Sequence, residues 1–126
     1  MNDILRKHAN QIIKDSISAV MPETAVKRAL NAYKCSSEGK TVIIAIGKAA
    51  WHMAYCAAKE VEFDEGIVIT KYGHSEGEIP KFRIYEAGHP VPDEASFFAT
   101  EQAVALAKTL TAKDEEALGF CQAPFL

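Results

Sequence analysis

Apolar residues in the N-terminal part of the chain recur at helical spacing. Residues 3 to 20 place large apolar side chains on one predicted helical face, with lysines and aspartates opposite. These apolar residues are Ile4, Leu5, Ile12, Ile13, Ile17 and Val20. A second helix is predicted over residues 22 to 33, because Pro22 suits a first turn and apolar residues again recur three or four positions apart.

The middle of the chain holds three short apolar runs that predict β-strands. Residues 41–46 ("TVIIAI") and 66–70 ("GIVIT") are continuous and rich in β-branched residues, which is typical of strands covered on both faces. Residues 82–86 alternate more loosely. Because strands alternate with helical segments, the pattern predicts an α/β fold, a Rossmann-like parallel sheet with flanking helices in an α/β/α arrangement.

Two more helices are predicted, over residues 48–60 and 94–110. The first is rich in alanine, which allows close packing on a sheet. Asp93 stands where the second would begin, as a helix N-cap or, together with Glu94, as a metal ligand or base. Residues 115–126 follow no clear period and receive no element, so the sheet is expected to be incomplete at its C-terminal end.

Composition narrows the class of protein. The chain has 126 residues, 48% hydrophobic and 25% charged, which predicts one soluble domain or part of one. A net charge of -3 argues against a nucleic-acid binder. The widely spaced Cys35, Cys56 and Cys121 predict neither a disulfide framework nor a zinc site, and they fit reduced thiols in the cytoplasm. The sequence shows no signal peptide and no apolar run long enough for a membrane span.

Ionisable residues follow the ends of all three predicted strands. Gly47 and Lys48 follow the first strand, the segment from Lys71 to His74 follows the second, and His89 lies shortly after the third. Because parallel strands end at one edge of a sheet, these groups are expected to converge on a crevice that suits a small anion. The alternatives are a solvated lysine at a helix start and histidines on surface loops.

Two common phosphate-binding loops are excluded by the residues around Lys48. A P-loop requires glycine where Val42 stands and serine or threonine where Ala49 stands. A dinucleotide-binding turn requires GxGxxG, whereas the chain reads "IGKAAW". Neither a P-loop ATPase nor a Rossmann dehydrogenase is predicted.

Three segments together resemble a known family. "AIGKAA" (45–50), "GIVITKYGH" (66–74) and "EAGHPVPDEAS" (86–96) occur in the order and spacing seen in the N-terminal part of glycerate 2-kinases, the MOFRL family, some of which carry the older label hydroxypyruvate reductase. The resemblance covers roughly residues 3 to 114. It implies a partial N-terminal domain over residues 1–114 and a divergent tail over residues 115–126.

The resemblance also implies a reaction and roles for individual residues. Family members phosphorylate D-glycerate with ATP and a divalent metal, here taken as Mg²⁺. Lys48 matches the proposed active-site lysine and would be catalytic, and the expected substrate-binding residues are Gly47, Lys71, His74 and His89. No metal ligand is assigned within the chain. The expected partner is the small anionic substrate glycerate. No binding to nucleic acid or to a membrane is expected, and homo-oligomer formation is left as an alternative.

The sequence departs from the family at its end. Family members continue into a glycine- and serine-rich loop of the form SGGGSAL, whereas this chain reads "EEALGFCQAPFL". The chain is therefore expected to be inactive alone. Two alternatives are a non-catalytic phosphosugar-binding module of the sugar-isomerase type, against which Ala49 replaces the expected serine, and a structural remnant whose exposed sheet edge favours self-association.

Overall fold

The computed structural model describes residues 2–32 and 39–121, with side chains described as far as residue 114. The elements in chain order are α1 (Asp3–Ala19), α2 (Pro22–Ala32), β1 (Thr41–Gly47), α3 (Ala50–Glu60), β2 (Glu65–Lys71), β3 (Phe82–Ala87), α4 (Glu94–Ala107) and β4 (Glu115–Cys121). Every helix and strand predicted before residue 111 is confirmed, with ends shifted by up to three residues; Tyr33, at the end of the second predicted helix, lies outside the described residues.

The four strands form one parallel sheet in the order β3-β2-β1-β4. The fourth strand corrects the sequence prediction, which assigned no element to residues 115–126. β4 pairs with β1 along its whole length, from Thr41 beside Glu115 to Gly47 beside Cys121. Residues 122–126 of the predicted tail lie outside the described part of the chain. The chain places β2 and then β3 on one side of β1, and it places β4 on the other side of β1.

Helices cover both faces of this sheet. Val42 and Ile44 of β1 lie in a core cluster with α4, whereas Ala45 lies in a cluster with α3. Successive residues of a strand point to opposite faces, so a continuous apolar run fills both interfaces. The predicted α/β/α layering is confirmed. It places α3, which connects β1 to β2, and α4, which connects β3 to β4, on opposite faces.

The two N-terminal helices differ in how they are packed. Val26 of α2 is buried with Cys56 and Ala57 of α3. No residue of α1 is buried, and the large apolar residues of its face are between 55% and 66% exposed. The apolar periodicity of residues 3 to 20 correctly predicted a helix, but within the described part of the chain its apolar face covers no core.

Two further observations concern the thiols and the helices. Cys56 is a free, buried thiol. Burial is the largest cause of its raised pKa, and the negative charge of the neighbouring Glu23 raises the pKa further. Cys35 and the side chain of Cys121 lie outside what the structure describes. Among the described residues, no helix is both long and apolar enough to cross a bilayer.

Candidate functional site

The carboxyl ends of the four strands lie along one edge of the sheet. Lys71 at the end of β2 is beside Ala87 at the end of β3, and Gly47 at the end of β1 is beside Cys121 at the end of β4. The direction of the strand order reverses between β1 and β4. In open α/β sheets ligands bind outside the carboxyl ends of the strands at such a switch point. Lys48 follows β1 directly and therefore lies at this point.

Lys48 occupies the turn between β1 and α3. Gly47 has a φ of 128°, a conformation that a residue with a side chain rarely adopts. The helix begins at Ala50, two residues later than predicted, so the half-buried Lys48 precedes the N-cap residue Ala49. Ala49 makes no side-chain cap, and the first turn of α3 contains no acidic residue. The first N–H groups of α3 and the Lys48 side chain thus give this turn a positive character.

His74 reaches this turn from the loop that follows β2. We call residues 72–77 the His74 loop. Nδ1 of His74 lies 3.2 Å from the carbonyl oxygen of Lys48. Because a carbonyl oxygen only accepts hydrogen bonds, this contact places a proton on Nδ1 and leaves Nε2 of the neutral ring as an acceptor. The structure thus brings together two of the predicted site residues, through the backbone of one and the side chain of the other.

The carboxylate of Glu86, near the end of β3, holds the middle of the His74 loop. Its Oε1 accepts hydrogen bonds from the backbone N–H of Gly73 at 3.1 Å and of Ser75 at 3.0 Å. The far end of the loop is tied to α3, because the indole Nε1 of Trp51 donates to the carbonyl of Gly77 at 2.9 Å. The ends of β1, β2 and β3 are therefore linked through this loop.

A second carboxylate organises the loop between β3 and α4. Oδ1 of Asp93 accepts from the N–H of Gly88 at 3.1 Å and of Ser96 at 3.0 Å, and Oδ2 accepts from the hydroxyl of Tyr72 at 2.8 Å. The hydrogen bond from Tyr72, then those from Gly88 and Ser96, lower the pKa of Asp93 to about 2. The same hydrogen bond raises the pKa of Tyr72. Asp93 is thus the N-cap of α4, the first of the two predicted alternatives.

Gly88 lies where this loop leaves no room for a side chain. A Cβ atom added there would lie 2.5 Å from the carbonyl oxygen of Val91 and 3.0 Å from Cγ of Asp93. His89 follows, joined to Pro90 by a cis peptide bond. The close packing of Gly88 holds the backbone on which His89 is carried.

The side chains of Lys71 and His89 lie at the same edge and are exposed. Within the part of the chain that the structure describes, neither side chain makes a hydrogen bond or an ion pair. The structure places both near the strand ends, as predicted, but it does not bring them into contact with Lys48. Both exposed side chains are accessible to a ligand.

The described side chains at this edge form no cluster of metal ligands. Among the described side chains of residues 2–32 and 39–114, the structure contains no group of three or more His, Cys, Asp or Glu that could hold a metal ion. Two carboxylates at this edge, Glu86 and Asp93, already accept backbone hydrogen bonds.

Sequence reasoning missed three residues at this edge. Tyr72 and Glu86 were passed over because their partners, Asp93 and the His74 loop, come from distant parts of the sequence. Thr70 lies beside Glu86 in the sheet, is 3% exposed, and its hydroxyl has no hydrogen-bond partner among the described residues. A threonine that ends the buried run "GIVIT" was the available signal, since a buried hydroxyl normally requires a partner.

Comparison with known proteins identifies the family of this chain. The model of a family described as a domain of unknown function, DUF4147, matches residues 8–119. The chain is 45% identical over 112 residues to the D-glycerate 2-kinase of Thermotoga maritima, which covers 87% of this chain and 26% of that protein. It is 32% identical over 114 residues to the glycerate 2-kinase of Pyrococcus horikoshii, covering 81% of this chain and 25% of that protein.

Two solved structures share the fold of this chain. A glycerate kinase from Thermotoga maritima superposes with a TM-score of 0.86 at 42% identity, covering 93% of this chain and 28% of that one. A protein from Pyrococcus horikoshii superposes with a TM-score of 0.77 at 30% identity, covering 90% of this chain and 28% of that one. The chain spans about a quarter of the length of the curated relatives it matches.

Proposed function

Because this chain belongs to the DUF4147 family, whose members similar to it include glycerate 2-kinases, we propose that it supplies the glycerate-binding part of a D-glycerate 2-kinase site. Such an enzyme transfers a phosphoryl group from ATP to the 2-hydroxyl of D-glycerate. The observation that carries the proposal is the position of Lys48 at the switch point of the sheet, in a turn without an acidic residue or a side-chain cap.

Lys48 is the proposed catalytic residue of this part of the site. Its ammonium group and the first N–H groups of α3 would bind the carboxylate of glycerate or stabilise the charge that builds on the transferring phosphoryl group. The conformation of Gly47 permits the backbone to approach the substrate closely. Catalysis of phosphoryl transfer is mostly positioning and charge stabilisation, so a lysine fixed at the end of a strand suits it.

His74, Lys71 and His89 are the proposed substrate-binding residues. With a proton on Nδ1, the ring of His74 has an acceptor at Nε2 that can receive a hydrogen bond from a glycerate hydroxyl. The exposed Lys71 ends β2 and the exposed His89 follows β3, so both add hydrogen-bond donors for an anionic substrate and Lys71 adds positive charge. These roles follow from position and chemistry together.

ATP and Mg²⁺ belong to the proposed reaction, but the described residues do not fit them. No group of metal ligands is present among those residues, and the sequence has neither a P-loop nor a GxGxxG turn. We therefore assign no step of the reaction to a metal or nucleotide held by this chain. We propose that the 126-residue chain is inactive alone and is located in the cytoplasm. The proposal is compatible with a monomer and with a homo-oligomer.

The test is a chimera in which residues 8–119 of this chain replace the matching segment of the Thermotoga maritima D-glycerate 2-kinase. The chimera is expected to form ADP in a D-glycerate-dependent reaction, with the parent enzyme as the positive control. The chain alone is expected to form none. A folded chimera without this activity contradicts the proposal.

Two additional assays separate the proposal from its competitors. Oxidation of NADH with hydroxypyruvate by the chimera would support a reductase and contradict a kinase. Thermal stabilisation of the 126-residue chain by phosphosugars, but not by D-glycerate, would support the phosphosugar-binding alternative, which the comparisons do not favour. The kinase proposal predicts neither result.

A further inference from the structure

We propose that Glu86 is a positioning residue, whose carboxylate holds the His74 loop so that His74 stays against the backbone of Lys48. This inference deepens the proposed function and rests on it for the role of His74 toward glycerate. It does not require Glu86 to touch the substrate. The contact that it explains is the hydrogen bond between Nδ1 of His74 and the carbonyl of Lys48.

The geometry of Glu86 joins a fixed element to a loop. Glu86 lies in β3, half-buried and beside Thr70 of β2, so its backbone is held by the sheet. The loop residues on either side of His74, Gly73 and Ser75, both donate their N–H groups to the same carboxylate oxygen. Because these two donors flank His74, they fix the direction in which the His74 side chain leaves the backbone.

Other contacts do not replace this one. The N–H of His74 donates to the carbonyl of Lys71 at 3.0 Å, which closes the first turn of the loop. The indole of Trp51 binds the carbonyl of Gly77, three residues beyond His74. Gly73 and Gly77 both have positive φ angles, so the loop is built from backbone with more freedom than usual. Between these two ends, Glu86 anchors both residues that flank His74.

The charge of Glu86 explains why a carboxylate occupies this position. Hydrogen bonds to an ionised acceptor are about twice as strong as those between neutral groups. An unpaired carboxylate at this edge would repel an anionic substrate. Because Oε1 accepts two N–H groups, part of that charge is satisfied within the protein. A glutamine keeps one amide oxygen as acceptor at this position, whereas an alanine removes it.

The first arm of the test uses NMR on the 126-residue chain. In Glu86→Ala, exchange of the Gly73 and Ser75 amide protons is expected to be at least about tenfold faster, and the His74 imidazole signals should shift. Glu86→Gln is expected to show a smaller change. The matched control is Glu76→Ala, which removes an acidic side chain from the same loop that pairs with His52 at 3.3 Å.

Two NMR results would overturn the role proposed for Glu86. Unchanged exchange and an unchanged His74 spectrum in Glu86→Ala overturn the proposal. The same holds if Glu76→Ala produces equal changes at Gly73 and Ser75. If Glu86→Ala does not fold, Glu86→Gln decides, because it must still accelerate exchange at Gly73 and Ser75 relative to the Glu76→Ala control.

The second arm measures kinetics in the chimera. Glu86→Ala is expected to raise KM for D-glycerate about tenfold and to leave KM for ATP unchanged, because the loop lies on the substrate side. Since Glu86 acts through His74, the double variant Glu86→Ala/His74→Ala should be no worse than His74→Ala alone. Effects that multiply in the double variant, or an equal loss toward both substrates, would indicate a general structural role and overturn the proposal.

The two arms separate the two proposals. A chimera that folds but has no kinase activity contradicts the proposed function, and the NMR arm then decides the role of Glu86 by itself. An active chimera in which Glu86→Ala behaves like the unmodified protein contradicts the role of Glu86 and leaves the proposed function standing.

Discussion

Two carboxylates organise the candidate site at the scale of single residues, and neither is one of the predicted site residues. Glu86 binds the backbone around His74, and Asp93 binds the backbone of Gly88 next to His89. Sequence reasoning identified the cations and the histidines because each follows a predicted strand. It predicted Asp93 as a helix N-cap, but it did not predict that Glu86 holds the His74 loop, because Gly73 and Ser75 lie 13 and 11 residues away from Glu86 in the sequence.

The hydrogen bond between Tyr72 and Asp93 leads to a prediction about proton binding. Tyr72→Phe removes the largest cause of the lowered pKa of Asp93, so this pKa should rise from about 2 toward 3.8. Carboxyl-carbon NMR titration of the 126-residue chain measures it. The control is Tyr55→Phe, whose ring stacks on Trp51 in α3. An unchanged pKa in Tyr72→Phe would show that the hydrogen bond is absent in solution.

The same shift predicts how stability depends on pH. The pKa of Asp93 in the folded protein, about 2, lies below its ordinary value of 3.8. The stability that Asp93 contributes is therefore fully present above pH 3.8 and is lost as the pH falls through about 2. The pKa of Asp114 is also lowered, chiefly by the N–H of Lys40, so Asp114 contributes stability with the same pH dependence in the wild type and in Tyr72→Phe. Urea midpoints in this window should fall more steeply for the wild type than for Tyr72→Phe, and equal slopes would refute the linkage.

At the scale of elements, alanines form much of the contact of α3 and α4 with the sheet, beside Trp51 of α3 and Leu106 of α4. Ala54 of α3 is 1% exposed and Ala99 of α4 is fully buried, whereas Phe97 of α4 is 65% exposed. The alanine-rich pattern of residues 48–60 predicted the first of these interfaces. The second was harder to predict, because α4 carries many apolar residues and buries two alanines and Leu106 while its phenylalanines stay exposed.

The packing of α4 gives a matched pair of substitutions. Ala99→Leu inserts a larger side chain into a filled interface and should lower the free energy of unfolding by about 1–3 kcal/mol. Ala105→Leu makes the same change on the exposed side of the same helix and should alter it by less than about 0.5 kcal/mol. Urea denaturation of both variants measures the difference. Equal effects would show that Ala99 does not face the sheet.

Strand β4 shows what sequence patterns could not provide at this scale. Its sequence, "EEALGFC", contains two glutamates and a glycine and lacks the β-branched residues that marked β1 and β2. Its place beside β1 depends on pairing between residues about 74 positions apart. Without β4, the three predicted strands end at one edge, but the reversal of strand order cannot be seen. The structure therefore adds the reason why Lys48 occupies the favoured position along that edge.

At the scale of the whole molecule, the chain is one part of the fold of its relatives. It matches the family model over residues 8–119 and spans about a quarter of the curated relatives. The α/β/α fold was predictable, because the alternation of apolar runs and helical periods extends over most of the chain. The exposure of α1 was not, because helical periodicity shows that a face is apolar without showing what covers it.

Lys48 is proposed to act on the substrate from the switch point of the sheet. The most direct test of this role is kcat/KM for D-glycerate in the chimera carrying Lys48→Ala. The matched control is Lys59→Ala, a lysine in the last turn of α3 that lies 3.8 Å from the ring centroid of Tyr55. The account predicts a loss of at least about 100-fold for Lys48→Ala and a change within about twofold for Lys59→Ala. Near-normal turnover of the Lys48→Ala chimera would contradict it.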